Sequence, residues 1–379
     1  MHICFLSQEY PKSGSIYGGI GTFLKTFAHQ LVHEGHKVTV VGLIGKTHNI
    51  EWDQGVRLVY FPLSNSKLLG WWRNFKRIGG FLEDLHRKET IDILEGSELN
   101  FAFMPKIKSI PYVIRLHGGH HFFSQGENRK IDPWKGFQEK VSFSKSDGFI
   151  AVSEYVKEVT GTYLSYRGKP IDVINYPVSF DKFYPADSKK AVPHRLVFAG
   201  TVCEKKGIRQ LIQALPMVLD IYPDTHLEVY GRDWTFPDGK SYTQSLKEQI
   251  PESLKSKVTF HGPVSHDQLP SFYEKAQVCI FPSHIETQGL VAPEAMAMEK
   301  PVIFSKTGPG PETIEDGLTG WLCNPHDPED IAKTILKAFD AEEKYLELGK
   351  LARVKALEKF DTEKATVKNI NFYKKLLSH

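Results

Sequence analysis

Residues 195–200 read Arg-Leu-Val-Phe-Ala-Gly, a short apolar run that stops on a glycine. Such a run, bounded by a turn residue, predicts a buried strand. Its importance lies in what it repeats, because the chain opens in the same way at Ile3–Leu6. Moving forward from Gly200, His226–Tyr230 ends at Gly231, and Val258–His261 ends at Gly262. Val278–Phe281 ends at Pro282-Ser283, and Val302–Ser305 follows Lys300-Pro301. Moving back, the first round of strands is Ile3–Leu6, Lys37–Leu43, Arg57–Phe61, Ile91–Leu94, Tyr112–Leu116, Gly148–Val152 and Asp172–Ile174. The runs VTVVGLI and YVIRL are almost wholly apolar, as strands covered on both faces should be. Between the first two strands, Phe23, Leu24, Phe27, Ala28 and Leu31 recur at helical spacing before Gly35. Strands alternating with amphipathic stretches predict α/β architecture with parallel sheets.

Two rounds of this pattern predict two doubly wound domains, 1–180 and 194–360. They are joined by a proline-containing linker at 181–193 and followed by a helical segment at 361–379. The length agrees, since 379 residues at about 100–200 per domain make two or three. In doubly wound domains ligands bind beyond the carboxyl ends of the strands. Two such domains facing each other would leave a cleft between them.

Composition excludes several classes. Apolar residues are 41% and charged residues 25%, with a net charge of +3, which is a globular and not a disordered composition. The 30 Gly and 22 Pro follow no period. No apolar run reaches the ~18–20 residues that span a bilayer. The start Met1–Ser7 has no basic leader and soon meets Gln8, Glu9 and Pro11, so no signal peptide is expected. Cys4, Cys203, Cys279 and Cys323 form no C-x-x-C pair, which fits a reducing cytosol and argues against zinc or a disulfide framework. Residues 1–180 hold 22 Lys and Arg against 17 Asp and Glu, and the remainder 26 against 28, so the front half is mildly basic.

Four stretches could carry chemistry. Gly14–Thr22 reads G-S-I-Y-G-G-I-G-T, a loop whose backbone N–H groups could approach a phosphate. It is a poor nicotinamide fingerprint, because Leu24 stands at the third glycine position, and it lacks the P-loop lysine. Glu286–Ala297 reads E-T-Q-G-L-V-A-P-E-A-M-A. A helix beginning near Leu290 would put Glu294 in its first turns and Glu286 in the preceding loop, both able to face one pocket. The amides of Gln288–Val291 would suit an anion or sugar hydroxyls. The same glutamates also fit a cap and a solvated helix position. Gly200–Gly207, G-T-V-C-E-K-K-G, follows a strand and offers Lys205 and Lys206 to a diphosphate, or simply a solvated basic loop. Arg115–His121, R-L-H-G-G-H-H, ends a strand; its histidines lack carboxylate or cysteine partners at zinc spacing, so a substrate hydrogen bond fits His117 better.

Together these motifs resemble the retaining glycosyltransferases of family 4, the glycosyl transferases group 1, over nearly the whole chain. The resemblance rests on Glu286–Ala297 as an E-x7-E motif running into E-A-M-A. Gly18-Gly19-Ile20-Gly21, His117-Gly118, Ala151-Val152-Ser153, Lys206-Gly207 and Thr307–Gly320 support it. It implies the GT-B fold, two Rossmann-like domains across a cleft, with the last helix crossing back to the front domain. It implies that Glu294 holds the donor's ribose. Glu286, Thr287, Gln288, Gly289 and Leu290 would hold the transferred sugar, with His117 beside it, and Val291 would join Leu290 at the nucleotide. Lys206, Gly18, Gly19 and Ile20 would meet the diphosphate, and Pro263 and Val264 the base. The family's usual arginine is replaced by Thr201, leaving Arg209 or Arg232 to supply the second positive charge. Gln288 replaces a frequent aromatic, and Asn175-Tyr176-Pro177-Val178 departs from N-G-V-D.

The expected activity is metal-independent transfer of a hexose from a UDP-sugar, glucose first, to a glycan or lipid-linked saccharide in surface polysaccharide or glycolipid synthesis. No D-x-D motif or other metal site is expected, and no cofactor beyond the donor. Lys206 and backbone amides would stabilise the departing diphosphate. Glu286 is also open to reading as a nucleophile, as in retaining glycosidases. The resemblance implies same-face attack by the acceptor instead. GDP-mannose as donor, a GT-B nucleotide-sugar 2-epimerase and a non-catalytic nucleotide-binding module are the competing readings. Nucleic acid is not an expected partner. Finally, Leu68–Leu82 sets Trp71, Trp72, Phe75 and Ile78 among Arg73, Lys76 and Arg77, with Lys67 just before. A basic amphipathic helix with tryptophan predicts contact with the inner face of an anionic membrane, or an ordinary helix packing its aromatics on the sheet.

Overall fold

The computed structural model describes residues 1–11, 18–44, 47–64 and 70–378, apart from the Glu342 side chain. Gly14–Tyr17 of the glycine loop and Lys67–Leu69 of the basic aromatic stretch lie outside the described residues. The chain forms two compact units. One holds the described residues up to Pro177 together with the helix Thr362–Leu377, and the other is Val178–Asp361.

The first unit is built on eight strands: β1 His2–Leu6, β2 Lys37–Leu43, β3 Asn49–Asp53, β4 Val56–Phe61, β5 Ile93–Gly96, β6 Tyr112–Leu116, β7 Gly148–Ala151 and β8 Ile171–Val173. Their order is β3-β4-β2-β1-β5-β6-β7-β8. All neighbours are parallel except β3 and β4. The sequence reading omits β3, because its residues N-I-E-W-D are polar and largely exposed. Gln54 (φ +49°) and Gly55 (φ +88°) make the two-residue turn that pairs it with β4. Helix Gly19–His33 buries Phe23, Leu24, Phe27, Ala28 and Leu31, the stripe read from spacing.

A buried polar knot lies behind β5 and β6. Arg115, fully buried, donates from Nε to Glu95 Oε1 at 2.7 Å and from Nη2 to Asn369 Oδ1 at 2.6 Å. Tyr373 donates to Glu95 Oε2 at 2.6 Å. Asn369 and Tyr373 belong to the helix Thr362–Leu377, so that helix completes this unit. The guanidinium also lies over the Phe23 ring, 4.7 Å from its centroid. These bonds offset the cost of burying the ion pair, and Nη1 is left buried without a hydrogen-bond partner among the described residues.

The second unit has six parallel strands: β9 Arg195–Ala199, β10 His226–Tyr230, β11 Val258–Gly262, β12 Val278–Phe281, β13 Val302–Ser305 and β14 Trp321–Cys323. Their order is β11-β10-β9-β12-β13-β14. β14 has only three residues and carries no strand signal of its own. Apolar clusters cover both faces of the sheet. Residues 181–193, expected as a linker, lie inside this unit. Phe183 is fully buried, Ala186 N–H donates to Met298 C=O at 3.0 Å, and Val192 N–H to Lys275 C=O at 3.0 Å. Prolines in the sequence suggested a connector, but backbone bonds fasten it to the C-terminal ends of the helices Leu269–Lys275 and Val291–Ala297.

Strand order reverses between β1 and β5 in one unit and between β9 and β12 in the other. Crevices at such reversals are where doubly wound sheets bind ligands.

Candidate active site

In the second unit the chain leaves β9 through Gly200 and Thr201 and forms a short turn of helix, Glu204–Lys206. Gly207 follows at φ +70°, and a Cβ there would lie 1.8 Å from the Pro282 carbonyl oxygen. Only glycine fits both the left-handed backbone and that approach. The turn lays Lys206 against the loop after β12. There Lys206 Nζ donates to Glu286 Oε1, and Ser283 Oγ donates to the same oxygen at 3.2 Å. The pair is largely shielded, with side-chain exposures of 21% and 13%. Lys206 and Glu286, singled out in separate motifs of the sequence, are thus joined as an ion pair.

Thr287 is half-buried, Gln288 is buried, and Gly289 turns at φ +75°. A Cβ at Gly289 would meet Phe304 Cζ at 2.8 Å. Leu290 caps the helix Val291–Ala297, and both Leu290 and Val291 pack against the core. Glu294 lies in the first turn and is 3% exposed. Burial on this scale demands a partner for a carboxylate. His266 supplies it, with Nε2 2.6 Å from Glu294 Oε1. Lys182 Nζ lies 2.8 Å from His266 Nδ1. Neither Lys182 nor His266 was singled out in the sequence.

Pro263 and Val264 follow β11, and the Gly262 carbonyl accepts from Gly231 N–H at 2.8 Å. This holds the ends of β10 and β11 together beside Arg232. Arg232 Nε donates to Thr201 Oγ1 at 3.3 Å, so its guanidinium lies beside the position where the resemblance expects arginine. Arg209 is committed elsewhere: it donates to Glu204 at 2.5 and 3.0 Å, and Tyr242 donates to the same carboxylate at 2.6 Å. Of the two arginines considered, Arg232 is the one that can supply a second positive charge.

In the first unit, Gly18 precedes the helix Gly19–His33 and Ile20 is half-buried in its first turn. His117 follows β6, with its Nδ1 hydrogen-bonded to the Tyr176 hydroxyl. Phe23 stacks on Tyr176 with centroids 4.6 Å apart and lies 6.0 Å from the His117 ring. Burial, with the Arg115 guanidinium, pushes the His117 imidazole down to about 3, so it is neutral at ordinary pH. The neighbouring histidines are structural. Glu139 accepts from the backbone N–H groups of His120 and His121 and pairs with His121 Nδ1. Buried Glu98 lies beneath the same loop, and burial with the nearby Glu139 charge raises its carboxyl to about 8. Among the described residues no three His, Cys, Asp or Glu side chains converge as a metal site would require.

The basic aromatic stretch forms the helix Gly70–Lys88. Ile78 is buried with Asn74, Leu82 and Leu85. Trp71 (38%) and Trp72 (45%) remain exposed. Trp71 meets Phe103, centroids 4.5 Å apart, and Phe103 stacks on Trp134 at 5.2 Å. Trp134 stacks in turn on Phe137 at 6.0 Å, and both are about half exposed. Lys76 Nζ lies 4.9 Å from the Trp72 ring. No helix among the described residues is long and apolar enough to cross a membrane.

Comparison with known proteins gives two family matches in sequence order. Residues 17–182 match the model of Glycosyltransferase Family 4, and 181–355 that of the glycosyl transferases group 1. Spore coat protein SA of Bacillus subtilis is 30% identical over 399 residues, covering 99% of this chain and 100% of that protein. The D-inositol 3-phosphate glycosyltransferase of Streptomyces avermitilis is 30% identical over 222 residues, covering 55% of this chain and 47% of that protein. The matched segment thus spans about half the length of that relative. The structure of Anabaena HepE with UDP and glucose superposes with a TM-score of 0.80, at 18% identity, over 98% of this chain and 99% of that one. The two parallel sheets with their helices are those of the GT-B fold.

Proposed function

The chain belongs to the glycosyl transferases of group 1, with a family 4 first half, and from that premise we propose that it transfers a hexose from a nucleotide sugar with retention of configuration. The donor favoured is UDP-glucose, and the acceptor a glycan or lipid-linked saccharide of surface polysaccharide or glycolipid synthesis. The observation that carries this reading is the side-by-side placement of Lys206 and Glu286 at the β9/β12 reversal, with buried Glu294 in the first turn of the helix that follows. HepE is described with UDP and glucose, which makes UDP-glucose the first donor to test.

In this reading Glu294 accepts from the ribose hydroxyls, and Pro263 and Val264 line the base. Lys206 has three N–H donors, so an ammonium bonded to Glu286 still has two for the diphosphate. Arg232, beside Thr201, supplies further positive charge. Glu286, held by Lys206 and Ser283, offers its remaining lone pairs to sugar hydroxyls. As the bond from the sugar's anomeric carbon to phosphate breaks, negative charge grows on the diphosphate. Lys206 and Arg232 offset it. The acceptor hydroxyl attacks the same face, its oxygen bonds to the anomeric carbon, and its proton passes to the leaving phosphate. His117, neutral at ordinary pH, can serve a substrate as a hydrogen-bonding partner and not as a cationic acid. No step calls for a metal or a further cofactor.

The exposed Trp71, Trp72, Trp134 and Phe137, with Arg73, Lys76, Arg77, Lys135 and Lys140 on the same helices, Gly70–Lys88 and Pro133–Lys145, support peripheral contact with an anionic inner membrane face. A lipid-linked acceptor would be met there.

The test is nucleotide release from a panel of UDP- and GDP-sugars without acceptor. Slow release from one donor, lost in Glu294→Ala and Lys206→Ala, is the expected result. Release from GDP-mannose alone would replace the donor. Isomerised nucleotide sugar without released nucleotide would replace the reaction with epimerisation. Binding of UDP, with no turnover even when saccharide acceptors are added, would leave a binding module.

A further inference from the structure

Lys182, His266 and Glu294 form a chain in which the direction of every hydrogen bond is fixed by chemistry. A lysine ammonium can only donate, so Lys182 Nζ donates to His266 Nδ1 across 2.8 Å. With Nδ1 accepting, the ring's proton is on Nε2. That N–H donates to Glu294 Oε1 across 2.6 Å. The His266 ring is braced from the side by Phe183, edge to face with centroids 5.3 Å apart. Lys182 is held in turn by Asp267. The three residues come from separate places: the segment that enters the second unit, the loop after β11, and the first turn of Val291–Ala297. Glu294 is almost wholly buried, so its carboxylate takes its orientation from this contact.

We propose that Lys182 and His266 are positioning residues for Glu294: Lys182 selects the Nε2–H tautomer of His266, which fixes one carboxylate oxygen and presents the other to the ribose hydroxyls of the bound nucleotide. The proposal rests on the reading that Glu294 holds the ribose. The arrangement is the one found around metal-bound histidines, where the partner on one ring nitrogen decides what the other can do. Here the beneficiary is a carboxylate. Without the N–H, Glu294 would rotate or recruit another donor, and its aim at two vicinal hydroxyls would be lost. The base and diphosphate contacts would remain.

The readout is therefore ribose discrimination. Calorimetric affinities are measured for UDP and GDP, each against its 2′,3′-dideoxy analogue. The native protein should favour the hydroxylated form of its nucleotide. Glu294→Ala should abolish that preference. His266→Phe keeps the ring against Phe183 but removes the N–H, and should reduce the preference about tenfold. His266→Gln, whose amide N–H occupies the Nε2 position, should restore most of it. Lys182→Met should reduce the preference, while Lys182→Arg, which still donates to Nδ1, should keep it. Nitrogen-15 NMR of the histidines supplies a second, ligand-free readout. The His266 signals, assigned by their loss in His266→Gln, should report protonated Nε2 in the native protein and a mixture of tautomers in Lys182→Met.

If Glu294→Ala retains ribose discrimination, the ribose reading fails. If Glu294→Ala loses it while His266→Phe and Lys182→Met keep it, the positioning role fails and the ribose reading stands. An unchanged His266 tautomer in Lys182→Met would remove Lys182 from the scheme.

Discussion

Lys206 and Glu286, eighty positions apart in the chain, are ion-paired at the reversal point of the second sheet, with the Ser283 hydroxyl on the same carboxylate oxygen. Each therefore orients the other. Lys206→Ala should lower kcat about 100- to 1,000-fold, as loss of a charge-stabilising donor does. The thermal midpoint should move by only a few degrees. Glu286→Gln should retain product configuration and about a tenth of the activity or more, because a sugar-binding group can be an amide. Loss beyond about a thousandfold would favour covalent catalysis by Glu286.

The His117 imidazole is pushed down to about 3 by burial and by Arg115, against 6.5 in the unfolded chain. Between those values the unfolded state binds the extra proton. The stability contributed by neutral His117 is thus complete above pH 6.5 and is lost as pH falls towards 3. Urea denaturation at pH 7.5 and pH 5 should show a smaller pH-dependent loss in His117→Asn than in the native chain. Equal losses would mean the imidazole charges freely in the folded state.

Glu98 behaves in the opposite sense. Burial and the Glu139 charge raise its carboxyl from 4.5 to about 8. The folded state then holds the extra proton, so its contribution is complete below pH 4.5 and disappears as pH rises through 8. Glu98→Gln, fixed in the neutral form, should gain on the native chain as pH goes from 5 to 8.5. A constant difference across that range in denaturation experiments would refute it.

Gly207 combines a left-handed backbone with an approach that leaves no room for a methyl group. Gly207→Ala should cost about 3 kcal/mol in denaturant unfolding. Activity should fall with it, because the turn that displaces from Pro282 is the one carrying Lys206. Full activity in the variant would show that the loop after β12 can yield.

Charge reversal at Arg73, Lys76 and Arg77 should lower flotation with anionic liposomes and leave zwitterionic liposomes unaffected. Trp134→Ser with Phe137→Ser should weaken the same binding, since these rings join Trp71 through Phe103. Unchanged flotation in both variants would end the membrane reading.

Much of the fold is local information. Residues 195–200, 226–230 and 278–281 are apolar because both faces of a parallel sheet are covered, and a short run suffices to reveal that. The Glu286–Glu294 motif is legible for the same reason, since nine residues contain the loop, the turning glycine and the helix start. What escaped reading is non-local. β3 is a polar edge strand whose only signal is the Gln54-Gly55 turn. Lys182 meets His266 across 84 positions, and Trp71 meets Trp134 through Phe103. No periodicity records such pairs. Within Leu68–Leu82 the sequence names Trp71, Trp72, Phe75 and Ile78 together, while the structure separates them: the buried stripe runs through Asn74, Ile78 and Leu82, and Trp71 and Trp72 stay exposed.

The knot of Arg115, Glu95, Asn369 and Tyr373 also has a meaning for synthesis on the ribosome. When the first unit's strands have emerged, Arg115 and Glu95 still lack the side chains that satisfy them, which are made more than 250 residues later. The second unit, Val178–Asp361 among the described residues, is one continuous stretch of chain. The nascent chain should therefore complete its second half first. The first half would wait, open at its polar centre, until Thr362–Leu377 leaves the exit tunnel and closes it.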